Sequence, residues 1–188
     1  MIPRSDRKLE ARPLEVVVRA QKGDVEAVGL LFDEHQAAIF RYLWARLADR
    51  ATAEDLTGEV FVRMVSALPG YQVTSVPFRA WLYRIARNLL VDHYRQTGAR
   101  APLPLQAAHD QSAPESDPIQ LAEQRLSLAQ LQRALARLDE AQRDVVVLRF
   151  LSGLSLAETA AALDRTEAAV KALQHRGLAA LRQALTEA

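Results

Sequence analysis

Apolar residues recur every three or four positions through most of the chain, and nowhere do apolar and polar residues alternate convincingly over the length of a strand. That pattern belongs to amphipathic helices packed against one another, and it predicts an all-α protein. Leu14 to Lys22 reads as a short helix stopped by Gly23, with Asp24 placed to cap the next. Val28, Leu31, Phe32, His35, Ile39, Leu43 and Leu47 mark one face of a long second helix. Thr52, with Asp55 three positions on, has the spacing of a capping box that opens a third, whose stripe is Leu56, Val60, Met64 and Leu68. PGYQVTSVP reads as a loop. Pro77 suits the first turn of a fourth helix that buries Phe78, Leu82, Ile85 and Leu89.

The periodicity breaks after residue 97 and resumes near residue 119. Leu121, Leu128, Leu131, Leu135 and Leu138 share a stripe, and Asp139 with Gln142 caps the helix that follows. Val145, Val146 and Val147 have local strand preference, which helical packing must override. Gly153 ends that helix. Ser155 and Glu158 form a capping box for SLAETAAAL, Asp164 and Arg165 make a short turn, and Thr166 caps a last helix with Val170, Leu173, Leu181 and Leu185 inward. Two short helices, a tight turn and a basic second helix are the pattern of a helix-turn-helix, which a plain helical hairpin with a solvated basic face also satisfies.

The break itself, APLPLQAAHDQSAPESDP, holds four of the eight prolines and reads as a flexible linker. The expected organisation is therefore two small helical domains, residues 14–97 and 119–188, joined by an acidic linker over 98–118. Nearly half of the residues are apolar and a quarter charged, which fits folded protein rather than a disordered chain. The absence of cysteine excludes a disulfide framework, a thiolate zinc site and a thiol nucleophile. MIPRSDRKLEARP lacks the apolar core of a signal peptide, and VVVLRFL is interrupted by Arg149 and too short to span a bilayer. The expectation is a cytoplasmic protein without membrane insertion.

Net charge is only +1, but its distribution is uneven. Residues 78–100 carry +4, residues 165–182 carry +3, and residues 101–118 between them carry −3. Five of eleven aromatic residues, Tyr71, Phe78, Trp81, Tyr83 and Tyr94, fall in or just before the first basic segment. A duplex hides its base faces, so rings beside arginines suit separated strands, whose bases can stack or be held in a pocket. For Trp81 a place in the core fits as well. On the last helix, Lys171, Gln174, His175 and Arg176 form a polar outer face able to reach phosphates and base edges in a major groove. Enzymatic chemistry finds no support. The histidines at 35, 93, 109 and 175 have no zinc-binding spacing, there is no Gly-rich phosphate loop, and Glu54 and Asp55 do not share a helix face.

With those residues in view, DVEAVGLLFDEHQAAIFRYLWARLADRATAEDLTGEVFVRMVSAL followed by FRAWLYRIARNLLVDHYR resembles region 2 of bacterial sigma-70-type factors. LSLAETAAALDRTEAAVKALQHRGLAALR resembles their region 4. With those two regions alone, over about residues 14–185, the chain is similar to the extracytoplasmic-function (ECF) group. The resemblance implies a non-enzymatic subunit, without cofactor or metal, that binds core RNA polymerase and promoter DNA and is held in check by an anti-sigma partner. It implies polymerase contacts at Asp55, Leu56, Glu59 and Phe61, although Asp55 also fits a simple cap and Leu56 a core position. It implies a loop over 70–77 that captures an unpaired base of the minus-ten element, with Tyr71, Trp81, Arg84, Arg87, Asn88, Asp92 and Arg95 against that DNA. Arg165, Thr166, Lys171, Gln174, His175 and Arg176 would meet the minus-thirty-five element. Many relatives have glutamine in place of Gly58, and Arg-Leu where this chain has Leu173 and Gln174. The other classes that fit the same composition are a duplex-binding helix-turn-helix regulator with an N-terminal sensor or dimerisation domain, and a helical adaptor that binds only protein.

Overall fold

The computed structural model describes residues 6–47, 49–73, 76–98 and 130–186, and all regular structure among them is helical. The expected linker, Leu121 and Leu128 lie outside the described residues. Helix α1 spans Asp6–Gln21, α2 Val25–Arg46, α3 Arg50–Ala67 and α4 Phe78–Thr97. Residues 130–136 belong to a helix, α5. Then come α6, Glu140–Val146, which runs into a wide turn over Val147–Leu151, α7, Leu156–Leu163, and α8, Glu167–Thr186. No helix among the described residues is long and apolar enough to cross a membrane.

The helix ends follow the capping chemistry in most places. Asp24 accepts from the amide of Ala27 and opens α2, with Gly23 in the left-handed region at φ +86° closing the turn before it. Asp139 caps α6 through the Gln142 amide, and Ser155 and Glu158 form a reciprocal capping box on α7. Three expectations are corrected. Helix α1 begins at Asp6 rather than near Leu14, since DRKLEAR is rich in good helix formers but has too few apolar residues to show a helical period in the sequence. The cap of α3 is Asp49, not Thr52: the Asp49 carboxylate accepts from both the amide and the hydroxyl of Thr52, so Thr52 lies inside the first turn. Leu185 is exposed, because the inward stripe of α8 runs through Val170, Leu173, Gly177 and Ala184, and Leu185 lies about 100° round from Ala184.

Two apolar clusters hold the molecule together. The smaller joins Val17 and Ala20 of α1 to Ala27 and Leu31 of α2 and to Leu68 and Tyr71 after α3. Gln21 reinforces it by donating to the carbonyl oxygens of Leu68 and Tyr71, at 3.1 and 2.6 Å. The larger cluster is continuous from α2, α3 and α4 into α5 to α8, with Leu43, Met64, Leu82 and Leu90 on one side and Leu135, Val145, Leu148 and Leu163 on the other. The two expected modules are thus packed on each other, mainly through α4 against α7 and α2 against the turn after α6.

The valine run is helical, as packing requires, but the helix widens at its end. The Ser152 amide donates to the carbonyl oxygen of Val147, five residues back, at 2.9 Å. Gly153, at φ +66°, then reverses the chain. This widened turn leaves the carbonyl groups of Ser152 and Gly153 pointing toward α4.

Candidate nucleic-acid interface

The residues of α4 that sequence reasoning selected lie on one broad side of the helix. At 100° per residue, Arg87, Arg84, Arg95, Asn88 and Asp92 follow one another round about 140° of its circumference. Asn88 and Arg95 are exposed. Asp92 is half-buried and lies 3.8 Å from an Arg63 nitrogen on α3, so its carboxylate faces a cation of its own module. Arg84 and Arg87, at the other edge, are covered by the second module. The Arg84 guanidinium donates to the carbonyl oxygen of Ala161 on α7 at 2.5 Å, and Arg87 Nε donates to the carboxylate of Asp144 on α6 at 2.8 Å.

The aromatic residues are less open than their composition suggested. Tyr71 is buried, its ring centroid 4.7 Å from that of Trp81 and 5.7 Å from that of Phe78, and its hydroxyl donates to the Val76 carbonyl oxygen at 2.5 Å. Burial raises the Tyr71 phenol above its ordinary pKa. Trp81 is half-buried and touches both apolar clusters, which unites the two readings of that residue. These three rings, with His35 against Phe78 at 5.5 Å, make an aromatic bed beneath the loop that precedes α4. Residues 74 and 75 of that loop lie outside the described residues. Tyr83 is fully buried, edge-on to Tyr42, and Tyr94 donates to the Arg46 carbonyl oxygen.

On α8 the outward face is open. Thr166 caps the helix by accepting from the Ala169 amide at 3.2 Å, and Arg165, Lys171, His175 and Arg176 are exposed along it. Gln174 is half-buried and accepts from Arg149 Nε at 3.2 Å, which fixes its amide at the edge of that face, while Leu173 is buried. Close packing of α8 on α6 depends on Gly177: a Cβ there would lie 2.9 Å from Val146 Cγ2 and 3.3 Å from the Gln142 carbonyl oxygen.

On α3 the suggested polymerase contacts divide. Asp55 is exposed, Glu59 is half-exposed and pairs with Arg63 at 2.9 Å, Leu56 is half-buried against the core, and Phe61 is buried with its ring edge-on to Phe32 at 4.7 Å. A Cβ at Gly58 would meet nothing within 4 Å, so a larger side chain fits there. Phe32, Val62 and Val65 expose apolar surface on α2 and α3, Val62 at 60 %. Sequence reasoning passed over Val62 and Val65, and it set Phe32 on the apolar stripe of α2, whereas the Phe32 ring is exposed beside Phe61.

It also passed over a buried acid that bridges the two modules. Asp144 is buried, its side chain 2 % exposed, and its two carboxylate oxygens accept from Arg46 of α2 and Arg87 of α4. Burial works against the Arg46 charge, but Asp144 more than offsets it, and the guanidinium is held above its ordinary pKa. Arg87 is raised by the same balance of burial and Asp144. Arg79, at the start of α4, donates to the carbonyl oxygens of Ser152 and Gly153. The signal available in the sequence was an acid set directly before the apolar run Val145–Leu148, whose burial demands a cation from elsewhere. Its neighbour Arg143 turns inward too and donates to the carbonyl oxygens of Leu135, Ala136 and Leu138, closing the end of α5.

Comparison with known proteins adds a second line. Residues 31–100 match the family model of sigma-70 region 2, and residues 134–183 that of sigma-70 region 4. Over 177 residues the chain is 38 % identical to the ECF RNA polymerase sigma factor BldN of Streptomyces coelicolor, covering 94 % of this chain and 67 % of that protein. It is 32 % identical to the ECF RNA polymerase sigma factor SigD of Mycobacterium tuberculosis, covering 92 % of this chain and 84 % of the other. Among solved structures, CnrH in complex with the cytosolic domain of CnrY superposes with a TM-score of 0.74 at 28 % identity, over 93 % of this chain and 97 % of that one.

Proposed function

The chain belongs to the sigma-70 family, in its extracytoplasmic-function group, and from that premise we propose how its residues share the work of transcription initiation. A factor of this group binds core RNA polymerase, recognises the minus-ten and minus-thirty-five promoter elements and promotes promoter opening. Residues 14–97 form the domain that meets polymerase and the minus-ten strand, residues 119–188 the domain that meets the minus-thirty-five duplex, and 98–118 the connection between them.

In the first domain, Asp55 and Glu59 together with the exposed Val62 and Val65 form the docking face, with Phe61 and Leu56 supporting it from beneath. Asn88, Arg95, Arg84 and Arg87 take the separated minus-ten strand: the arginines bind phosphate, and Asn88 hydrogen-bonds a base edge. Asp92 orients Arg63, and the Tyr71–Trp81 bed supports the loop that holds an unpaired base. Strand separation is favoured because extruded bases and freed phosphates find partners here that a closed duplex does not offer. In the second domain, α8 enters the major groove with Lys171 and Arg176 toward phosphate or guanine, and Arg165, Thr166 and His175 at its entry and edge; Gln174 is positioned by Arg149.

An anti-sigma partner belongs to this proposal as well, since CnrH is itself seen in complex with the cytosolic domain of CnrY. The observation that carries the whole reading is the coexistence, on one chain of this family, of a cationic α4 beside an aromatic bed and an exposed basic α8. Reconstitution tests it: core polymerase plus this protein on genomic DNA is expected to start transcripts at discrete sites that core polymerase alone ignores. Unchanged transcripts on adding the protein would refute it.

A further inference from the structure

We propose that Arg149 sets which base Gln174 reads in the minus-thirty-five element. By holding the oxygen of the Gln174 amide, it leaves that side chain only donors to offer the groove, which favours guanine over adenine. Arg149 acts on DNA through Gln174, as a positioning residue rather than a reader. The inference rests on the placement of α8 in the minus-thirty-five duplex.

Gln174 stands at the margin of the outward face of α8. At about 100° per residue it lies about 60° round from exposed Lys171, on the side of buried Val170 and Gly177. Arg149 reaches it from the widened turn after α6: its Nε donates to Gln174 Oε1 at 3.2 Å, and its Nη1 donates to the Leu154 carbonyl oxygen. The guanidinium is thus tied to the backbone on one side and to the last helix on the other. A guanidinium donates and never accepts, so the amide atom that faces it has to be the oxygen. Gln174 Nε2 makes no hydrogen bond among the described residues and is not one of the buried unpartnered atoms, so its N–H groups are open to solvent.

An unrestrained glutamine suits adenine, because its amide accepts from N6 and donates to N7 at once. With its oxygen drawn to the turn by Arg149, Gln174 loses the accepting half of that pair. Guanine presents N7 and O6 side by side, both acceptors, and a donating amide satisfies them without its oxygen. Adenine leaves its N6 donor unmatched beside the same amide, and a polar group desolvated without a partner is costly. Cytosine, which offers that edge only its N4 donor, is rejected for the same reason.

Holoenzyme assembled from core polymerase and the full chain provides the test, on one mapped promoter whose upstream-element positions are changed in turn to each alternative base pair. Competition binding gives the affinity for every fragment. Gln174→Ala is expected to flatten the base preference at one position and to leave the others. At that position the wild-type protein is expected to favour guanine over adenine. Arg149→Met is expected to reverse that order, shifting the ratio of the two affinities on the order of tenfold. Arg149→Met combined with Gln174→Ala is expected to match Gln174→Ala there. Should Arg149→Met fail to fold, Arg149→Gln carries the comparison: its amide still donates to the Leu154 carbonyl oxygen, but toward Gln174 it donates or accepts equally, so guanine and adenine are expected to draw level. A uniform loss of affinity in the Arg149 variants, with the base order kept, would overturn the proposal and leave Arg149 a fastener between α8 and the turn. So would Gln174→Ala with every preference intact, or a wild-type preference for adenine at the Gln174 position. A wild-type holoenzyme indifferent to every upstream position would instead count against α8 in the groove, and the role of Arg149 would fall with that assignment.

Discussion

Gly177 lies where α8 crosses α6, and its missing side chain is what lets the two approach. Alanine gains about 1 kcal/mol of helix propensity there but pushes on Val146 and on the Gln142 backbone, so the two effects nearly cancel. Valine has no such compensation, and Gly177→Val is expected to lower unfolding free energy by about 1–3 kcal/mol in urea titrations. His35 supplies a pH response. Burial of this α2 side chain against the Phe78 ring lowers its pKa, against the opposing pull of Glu34 and with help from Arg79. The unfolded chain then binds a proton that the native protein resists, so stability is full above the ordinary histidine pKa of about 6.5 and falls as pH drops toward the lowered value. His35→Gln is expected to flatten that part of the stability profile. Thermal melts of both proteins from neutral pH downward read it directly.

Helix α8 carries the clearest element-scale prediction. Lys171→Ala with Arg176→Ala is expected to weaken binding to a duplex bearing the upstream promoter element. The slope of log affinity against log salt is expected to fall by about one for each phosphate left without its cation. An unchanged slope would place this helix outside the groove. Elements also mark where sequence reasoning stops. Caps at Asp24, Asp139, Ser155 and Thr166 were legible, since each side chain satisfies amides only three residues away. The stripes of α2, α3 and α4 were legible because burial follows a local period. The widened turn after α6 was not, since one extra residue per turn leaves no mark on apolar spacing. Nor was the candidate interface fully legible. Exposed Asn88, Arg95, Lys171 and Arg176 could be read from a helical wheel, but the burial of Arg46, Arg84, Arg87 and Asp144 depends on partners up to 98 residues away.

For the whole molecule, two helical regions that look separable in sequence share one apolar cluster, and two of the arginines proposed to face DNA, Arg84 and Arg87, lie at their junction. Function then turns on α4, whose exposed polar side is taken to prefer unpaired strands once polymerase holds the protein. Holoenzyme affinity for one mapped promoter fragment, prepared both as closed duplex and with its minus-ten segment pre-melted, measures that preference directly. Wild-type protein is expected to bind the pre-melted fragment more tightly, and Asn88→Ala or Arg84→Ala to narrow the difference while leaving polymerase binding intact. Equal affinity of the wild-type holoenzyme for the two fragments would contradict this role for α4.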